Sequence, residues 1–345
     1  AALTPIETDK LLTSIEAMAK DNVAIVPFIT HKLPIVLRIS HRVTVLRRGQ
    51  VVSCIDTEHA TEKSLATELV GREVLFNVKR AKAPKGETVL QVENLVAQSD
   101  KGVRALEGVS FAIREGEIFG IAGVSGNGQR ELVECLAGMR DLVAGKISLG
   151  GNDITNASSY ARWKQGLGYI PADRNHLGSI ADFSLVENMT MNYYFDEQYQ
   201  HRGTLDYHKI RQLTDELIAE YGVKTPNADV KAKNLSGGNL QKLILARVLS
   251  RNPRLVIADL PSQGLDIGAI EFVRNKLNEA KFKHAAVLLI SEDLDEIFSL
   301  SDWIAPIYEG RLMGIIPAEE AHREAVGAMM AGIEMAGTEM AGDDQ

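Results

Sequence analysis

The most regular pattern in the chain is an alternation of short apolar runs with longer amphipathic stretches. Residues 253–259 and 285–291 are short, apolar and partly β-branched, which is typical of central strands in a parallel sheet. Residues 129–138 and 206–222 carry apolar side chains at helical spacing, and Gly138 suits the end of the first helix. Strands that alternate with helices predict a doubly wound α/β core.

Further strands and a helical region complete this pattern. Residues 89–96 and 103–113 predict two strands separated by a polar turn, and residues 117–122 predict a short buried strand before a glycine-rich loop. The polar stretch 175–250 is rich in helical periodicity, and we expect it to form a helical subdomain.

An internal repeat sets the domain organisation. Residues 23–71 align without gaps with residues 284–332, so that Gly49 stands opposite Gly310. A repeat of this length indicates that one structural unit occurs twice in the chain. We expect the first copy to be truncated, because only the last quarter of the unit is present in it.

Four segments follow from the repeat. Residues 1–76 are predicted to be the C-terminal part of the first copy, and residues 88–332 a complete second copy. Residues 77–87 are basic, contain Pro and Gly, and predict an exposed linker. Residues 333–345, rich in Met, Ala, Gly and Asp, predict a disordered tail.

Composition narrows the class of protein. The chain has 345 residues, of which 45% are hydrophobic and 24% charged, as in ordinary globular proteins. Its net charge of −8 argues against nucleic acid as a partner. Cys54 and Cys135 lack metal-ligand and disulfide spacing, so we expect reduced thiols in the core. No apolar run approaches the ~20 residues of a membrane helix, so any membrane role depends on a partner.

The glycine-rich loop is the first candidate site. It reads Gly123-Val124-Ser125-Gly126-Asn127-Gly128-Gln129-Arg130. In a working phosphate loop, backbone N–H groups cradle the phosphates, a lysine neutralises their charge and a hydroxyl holds Mg²⁺. Here Gln129 takes the lysine position and Arg130 the hydroxyl position, so we expect weakened nucleotide binding. Two alternatives stay open: Arg130 supplies the missing charge, or the turn serves only strand–helix packing.

A second anion site opens the helix predicted over residues 240–249. It reads Leu235-Ser236-Gly237-Gly238-Asn239. A serine and two glycines at a helix start present backbone N–H groups to an anion. An apolar strand that ends in Asp259 follows, and then Gly264-Leu265-Asp266.

In order and spacing these motifs resemble the Walker A loop, signature, Walker B strand and D-loop of an ATP-binding-cassette (ABC) ATPase. The resemblance implies a P-loop NTPase fold with an antiparallel β subdomain and a helical subdomain, and it implies ATP and Mg²⁺ as ligands. The residues of the loop, of the signature, Asp259 and Asp266 are then the expected ATP-binding residues. No set of metal ligands is assigned.

The resemblance also shows where the second copy departs from a catalytic cassette. Leu260 replaces the glutamate that orients the attacking water, and losing a general base typically costs about 10²–10⁴-fold in rate. Glu292 replaces the switch histidine, Ala172 replaces the Q-loop residue, and residues 98–106 offer no ring to stack on adenine. The repeat places His31 of the first copy opposite Glu292, so His31 is the expected catalytic residue.

ABC cassettes bind ATP head to tail, which implies two unlike composite sites. The competent one is expected to combine the Walker face and His31 of the first copy with Ser236, Gly237 and Gly238. The site at Gln129 is expected to bind nucleotide without turnover. We therefore expect ATPase activity from the full-length protein and almost none from this chain alone.

Within the ABC ATPases the chain resembles the fused ATPase subunit of bacterial importers for simple sugars and nucleosides. The shared motifs are G-x-S-G-N-G-Q-R, L-S-G-G-N, Gly168-Tyr169-Ile170-Pro171 and Ser291-Glu292-Asp293-Leu294-Asp295-Glu296. The run from Gly264 to Phe272 favours the nucleoside branch, whereas Ala172 and Leu240 depart from the family pattern.

The resemblance implies two transmembrane permease subunits, an extracytoplasmic solute-binding protein and a paired cassette as partners. It implies a peripheral position on the cytoplasmic face of the bacterial inner membrane, with residues 172–192 forming the groove for the permease. Two other functions are compatible with cassette motifs: a non-hydrolytic regulatory cassette, and a soluble twin-cassette translation factor. The short linker and Leu260 argue against the second.

Overall fold

The computed structural model divides the chain into two units. One comprises residues 1–78 with 265–272, and the other residues 79–264 with 273–345. The described residues are 5–21, 26–30, 32–47, 49–72, 86–201 and 203–333. His31, most of the predicted linker and most of the predicted tail lie outside them. Within the described part of the chain, no helix is long and apolar enough to cross a membrane.

The first unit is a small α/β assembly. Its elements are α1 (Pro5–Lys20), α2 (Leu33–Ile39), β1 (Arg42–Arg47), β2 (Gln50–Asp56), a 3-10 turn (Thr57–His59) and α3 (Glu62–Val70). β1 and β2 form an antiparallel hairpin. Leu33, Val45 and Leu65 form its core. Cys54 is exposed, so its prediction as a core thiol is wrong: alternate side chains of a hairpin strand point away from the core.

The strands of the second unit form two sheets and a short hairpin. They are β3 (Thr88–Gln98), β4 (Arg104–Arg114), β5 (Ile118–Ala122), β6 (Ala144–Leu149), β7 (Asn152–Asp153), β8 (Leu167–Ile170), β9 (Gln200–His201), β10 (Thr204–Leu205), β11 (Leu255–Asp259), β12 (Ala286–Ser291), β13 (Trp303–Tyr308), β14 (Arg311–Leu312) and β15 (Ile316–Pro317).

The helices of the second unit pack around these strands. They are α4 (Gln129–Ala137), α5 (Ser159–Lys164), α6 (Leu185–Thr190), α7 (Tyr207–Glu220), α8 (Gly237–Leu249), α9 (Ile267–Phe282), α10 (Leu294–Leu300) and α11 (Arg323–Met329), with 3-10 turns at Glu197–Tyr199 and Ala232–Asn234. α9 begins in the first unit and continues in the second.

The core sheet of the second unit is mostly parallel, as the apolar runs predicted. Its order is β14-β13-β5-β12-β11-β8, and β15 pairs with β13. β11 and β12 are almost wholly buried, because a parallel sheet is covered on both faces. A separate antiparallel sheet has the order β4-β3-β6-β7 and contains both strands predicted over residues 89–113.

The repeat found in the sequence is also present in the structure. The order α2, β1, α3 of the first unit recurs as α10, β13, α11 in the second. Gly49 and Gly310 adopt φ angles of 76° and 77°, a left-handed conformation that favours glycine. The same residue type therefore serves the same turn in both copies.

A buried arginine closes the end of the helix that follows the glycine-rich loop. α4 ends at Gly138, which adopts a left-handed conformation. Arg162 is 2% exposed. It donates hydrogen bonds to the carbonyls of Cys135, Leu136, Thr155 and Ala157. Arg162 thus satisfies helix-end carbonyls that water cannot reach.

We expect Arg162→Met to destabilise the chain by about 3 kcal/mol, because buried carbonyls lose a charged donor. Urea unfolding followed by circular dichroism measures this. Lys164→Met is the matched control, since Lys164 is exposed on the same helix. Equal midpoints for the two variants would contradict the role given to Arg162.

Candidate functional site

The carboxyl edge of the parallel sheet brings the predicted Walker residues together. β5 leads into the glycine-rich loop, β11 ends at Asp259 and β12 ends at Ser291. β5, β12 and β11 are neighbouring parallel strands, so their ends lie side by side. The N–H of Gly123 donates to the carbonyl of Ser291 at 3.4 Å, which joins the loop to the neighbouring strand.

Two glycines fix the shape of the loop. Gly126 and Gly128 have φ angles of 93° and 101°. A Cβ atom at Gly128 would lie 2.5 Å from the carbonyl oxygen of Ala105. Gly128 is therefore required both by its backbone conformation and by close packing, and the loop keeps the turn of a phosphate cradle.

Gln129 is folded into this loop and is 7% exposed. Its Oε1 atom accepts a hydrogen bond from the N–H of Asn127 at 3.1 Å, and its Nε2 atom donates to the carbonyl of Val124 at 2.9 Å. The carboxamide thus bridges the loop and engages one N–H group of the turn. It is neutral, so it cannot supply the charge that lysine brings to a phosphate.

Asn127 braces the loop from the other side. Its Nδ2 atom donates to the carbonyl of Val124 at 2.9 Å, and its Oδ1 atom accepts from the N–H of Glu309 at 2.9 Å. The N–H of Gly310 donates to the carbonyl of Asn127 at 3.0 Å. The turn between β13 and β14 therefore holds the loop in place.

Arg130 is directed toward acidic side chains. Its Nε atom lies 2.7 Å from Oε1 of Glu134, and its Nη2 atom lies 3.4 Å from Oδ2 of Asp100. The hydrogen bond that Arg130 donates to Glu134 raises the pKa of Arg130 further above its ordinary value. This geometry gives no support to the alternative in which Arg130 replaces the missing lysine.

Asp259 is the one carboxylate at the end of the Walker B strand. Burial raises its pKa to about 6, although hydrogen bonds from the N–H of Ala172 and the hydroxyl of Tyr169 oppose the shift. Tyr169 lies 3.4 Å away, and burial raises its pKa as well. Asp259 is therefore partly protonated near pH 6.

The donor set at this edge does not suit a tightly held Mg²⁺ ion, which prefers several hard oxygen ligands. Asp259 supplies one carboxylate, and Arg130 stands where a hydroxyl ligand is expected. Across the described residues, no group of three or more His, Cys, Asp or Glu side chains could hold a metal ion. This loop lacks the ligands to hold the ion by itself.

Leu260 follows Asp259 in a strained conformation, with a φ angle of 44°. A left-handed conformation costs a residue with a Cβ atom about 1 kcal/mol. The N–H of Leu260 donates to the carbonyl of Ile290 at 3.0 Å, which holds it there. An aliphatic side chain cannot take a proton from water, so no general base stands at this position.

The signature turn begins α8. Ser236 caps the helix: its hydroxyl accepts hydrogen bonds from the N–H of Asn239 at 3.4 Å and from its Nδ2 atom at 3.0 Å. Asn239 in turn accepts from the N–H of Lys224 at 2.9 Å. Ser236 and Gly237 are exposed, and Leu235, Gly238 and Asn239 are half-buried.

Gly237 is not required by the packing of this chain. A Cβ atom there would meet no atom within 4 Å. Its φ angle also lies outside the left-handed region. The absence of a side chain therefore leaves room for a group that approaches the helix N-terminus from outside, where exposed N–H groups favour an anion.

The remaining predicted residues take other places. Asp266 caps α9, since its Oδ1 atom accepts from the N–H of Ala269 at 2.8 Å. Glu292 is half-buried in the turn after β12, and Ser125 is exposed in the loop. His31 lies outside the described residues, so the structure does not show its surroundings.

The sequence motifs include Arg174 but predict no role for it. Its Nε atom donates to Oε1 of Gln241 on α8 at 2.8 Å, and its Nη2 atom donates to the carbonyl of Gln263. Burial lowers its pKa. Arg174 therefore links the helix that carries the signature to the loop after β11. Its position just after Gly168-Tyr169-Ile170-Pro171 was the available signal.

The chain is similar in sequence to known proteins. The profile of the ABC transporter family matches residues 106–263. The chain is 43% identical over 334 residues to the glucose import ATP-binding protein TsgD13 of Haloferax volcanii, covering 96% of this chain and 60% of that protein. It is 40% identical over 332 residues to the guanosine import ATP-binding protein NupO of Bacillus subtilis, covering 96% and 65%.

Solved structures resemble the fold. The ATP-binding cassette MJ1267 of an ABC transporter matches with a TM-score of 0.60 at 20% identity, covering 72% of this chain and all of that one. The cassette MJ0796, dimeric and bound to ADP and Pi, matches with a TM-score of 0.58 at 20% identity, covering 66% of this chain and 98% of that one. At this identity the likeness supports the fold alone.

We expect Asp259→Asn to stabilise the chain at pH 7.5 by about 2 kcal/mol, because a folded pKa near 6 exceeds the unfolded value of about 4. Between pH 4 and 6 the folded state binds a proton that the unfolded state has lost. The loss of folding stability caused by ionised Asp259 therefore grows from pH 4 to 6 and is absent below pH 4. Thermal unfolding at pH 7.5 and 4 measures the difference. The exposed Asp141→Asn is the control, and an equal gain at both pH values would refute the assignment.

Gln129→Lys is expected to tighten ATP binding at the loop about tenfold, because the ammonium group supplies a charge-assisted contact to phosphate. Equilibrium titration with a fluorescent ATP analogue measures the affinity. Gln129→Met, which has a similar volume and no charge, is the control. Equal affinities for both variants would show that the phosphates do not contact this position.

Proposed function

Because the chain belongs to the ABC transporter family, we propose that it is part of the ATPase subunit that energises an importer for a simple sugar or a nucleoside. The chain spans 60–65% of the length of its first three curated relatives. One observation carries the proposal: an open signature turn occurs in the same chain as a phosphate loop without lysine.

The open signature turn supports a role as donor to a site completed by another Walker face. The exposed N-terminus of α8 offers N–H groups and the Ser236 hydroxyl to a triphosphate. Gly237 leaves space for the close approach of that ligand. In this proposal the partner Walker face belongs to the first copy, for which His31 is the proposed catalytic residue.

The second composite site holds nucleotide without efficient turnover. Gln129 bridges the loop through a hydrogen bond with the N–H of Asn127 and brings no charge. Leu260 provides no base, and Glu292 stands where the switch histidine is expected. Backbone N–H groups of the loop remain available as phosphate ligands. Asp259 would be the carboxylate of this site available to a Mg²⁺ ion that came with the nucleotide, and such an ion would offset phosphate charge.

The class of solute is proposed from the relatives. They import glucose, nucleosides or guanosine, according to their names. A sugar or a nucleoside is therefore the proposed cargo. The run from Gly264 to Phe272 favours a nucleoside, whereas the glucose import protein has the higher identity.

The segment 172–192 is proposed to receive the permease subunits. Several apolar side chains stand exposed there, notably Leu177, Ile180 and Phe183. A crevice of about 330 Å³ lies beside it and is lined by Trp163, Asn192 and Arg251 among others. Apolar surface of this kind favours a protein partner. The proposed partners are two transmembrane permease subunits and an external solute-binding protein. The proposed location of the chain is therefore the cytoplasmic face of the cell membrane.

A non-hydrolytic regulatory cassette is the second candidate, because Gln129 and Leu260 disable this copy. A translation factor remains disfavoured by Leu260. The two main candidates differ in whether the protein hydrolyses ATP at all when both cassettes are complete.

We expect this chain alone to show background Mg-ATPase activity, whereas a protein of the relatives' full length hydrolyses ATP. Ser236→Arg in the longer protein should lower kcat at least ~10²-fold, because it blocks transition-state donors at the signature. Gln129→Ala is the control and leaves kcat nearly unchanged. Steady-state phosphate release measures both.

Rapid ATP hydrolysis by this chain alone would contradict the proposal that catalysis needs another Walker face. Background activity of the complete protein would instead favour the regulatory cassette.

A further inference from the structure

A polar cavity lies where two long helices of the second unit end. It has a volume of about 490 Å³ and is bounded by the C-terminal parts of α7 and α8, by residues 193–199 and by Lys283. Its lining includes no residue of the glycine-rich loop or of the signature turn. Cavities of this size hold small molecules in other proteins, so this one is large enough for a small ligand.

Three tyrosine side chains form part of the cavity wall. Tyr193 and Tyr221 are each 5% exposed, and Tyr199 is half-buried. The rings of Tyr193 and Tyr199 meet edge to face with their centroids 5.3 Å apart, and the hydroxyl oxygens of Tyr193 and Ser250 lie 2.6 Å apart in a hydrogen bond. Contacts within the chain therefore fix this aromatic wall.

Cations of the chain itself lie over two of these rings. The guanidinium carbon of Arg251 is 5.2 Å from the ring centroid of Tyr193, and the Nζ atom of Lys276 is 4.8 Å from that of Tyr221. The negative face of an aromatic ring attracts a positive charge. The same wall therefore suits the ammonium group of a ligand.

Carboxylates of α7 supply negative charge at the rim of the cavity. Glu216 and Glu220 are exposed and stand one turn apart on the helix, so their Cβ atoms are about 6 Å apart. The Nε2 atom of Gln212 donates a hydrogen bond to Oε1 of Glu216 at 3.0 Å. The C-terminal ends of α7 and α8 add partial negative charge.

Other charged groups oppose one another in the wall. Asp196 is paired with Arg251, whose Nη1 atom lies 2.5 Å from Oδ2, whereas Lys283 is an exposed cation at the rim. Burial raises the pKa of Tyr199, and the charges of Asp196 and Glu216 raise it further, while Arg251 opposes the shift. Among the charges around this hydroxyl, the carboxylates therefore prevail.

The spacing of the glutamates favours a ligand with two positive charges. The ammonium groups of an aliphatic diamine with a four-carbon chain are separated by a similar distance. Leu213 and Leu217 also line the cavity and can cover the carbon chain. A metal ion fits less well, because no group of three or more His, Cys, Asp or Glu side chains could hold one among the described residues.

We propose that this cavity binds a small aliphatic diamine, with its ammonium groups at Glu216 and Glu220 and its carbon chain against Tyr199. The proposal does not depend on the proposed function, since the cavity shares no residue with the nucleotide-binding motifs. A bound diamine joins the end of α7 to residues 193–199, and it stabilises the folded chain to the extent that it binds only the folded state.

Titration calorimetry of this chain with putrescine, the four-carbon diamine, at low ionic strength tests the site. Glu216→Gln and Glu220→Gln should each weaken binding about tenfold, because each removes a charge-assisted hydrogen bond. Asp215→Asn is the matched control and should leave the affinity unchanged, since Asp215 is exposed on the same helix and does not line the cavity.

Two further variants test the sign of the charge and the role of the ring. Lys283→Gln should tighten binding about threefold, because it removes a repelling cation from the rim. Tyr199→Leu should weaken binding about threefold, because leucine keeps an apolar contact but offers no ring face to an ammonium group. Butylamine, which has a single ammonium group, should bind about tenfold more weakly than putrescine.

Equal weakening by Asp215→Asn, Glu216→Gln and Glu220→Gln would show that putrescine responds only to the overall negative charge, and it would overturn the proposal. Absence of binding, or displacement of putrescine by an equal concentration of Mg²⁺, would also reject it. Putrescine should raise the midpoint of thermal unfolding of the original chain, and Glu220→Gln should reduce that shift. Both glutamates are exposed, so their substitution should leave the fold intact.

Discussion

A left-handed backbone turn at the carboxyl edge of the parallel sheet is the constraint on which the site depends. Gly128 must lack a side chain because the carbonyl of Ala105 approaches to 2.5 Å of where a Cβ atom would stand. The turn starts α4, whose far end is closed by Arg162. The geometry of a phosphate cradle is thus maintained by packing, independently of whether the chemistry of the cradle is maintained.

Around this turn, polar side chains hold loops that a nucleotide would otherwise order. Gln129 bridges the cradle from within, and Arg174 joins the signature helix to the loop after β11. Glu296 accepts a hydrogen bond from the hydroxyl of Ser291 in the turn after β12. Each replaces water at a buried backbone or hydroxyl group, so each restricts the conformations that the loop can adopt.

The two predicted anion sites of the second unit differ in the functional groups that they retain. At the loop, charge and base are missing: Gln129 is neutral and Leu260 is aliphatic. At the start of α8, nothing is missing, and Gly237 even leaves space that the chain itself does not use. In the proposed function, a cassette without its own chemistry is still needed, because its signature serves a phosphate that another Walker face binds.

Local patterns determined much of this protein. Hydrophobic periodicity predicted β11, β12 and α7, and the motifs predicted the order of the Walker and signature residues, because both depend on short stretches of chain. Only the tertiary structure decided where long side chains reach. It showed Cys54 exposed, Arg130 turned toward Glu134, and Arg174 as a link between distant segments. The contacts of Arg174 join residues that are 67 and 89 positions apart in sequence, and they depend on the three-dimensional packing of strands and helices that no local pattern encodes.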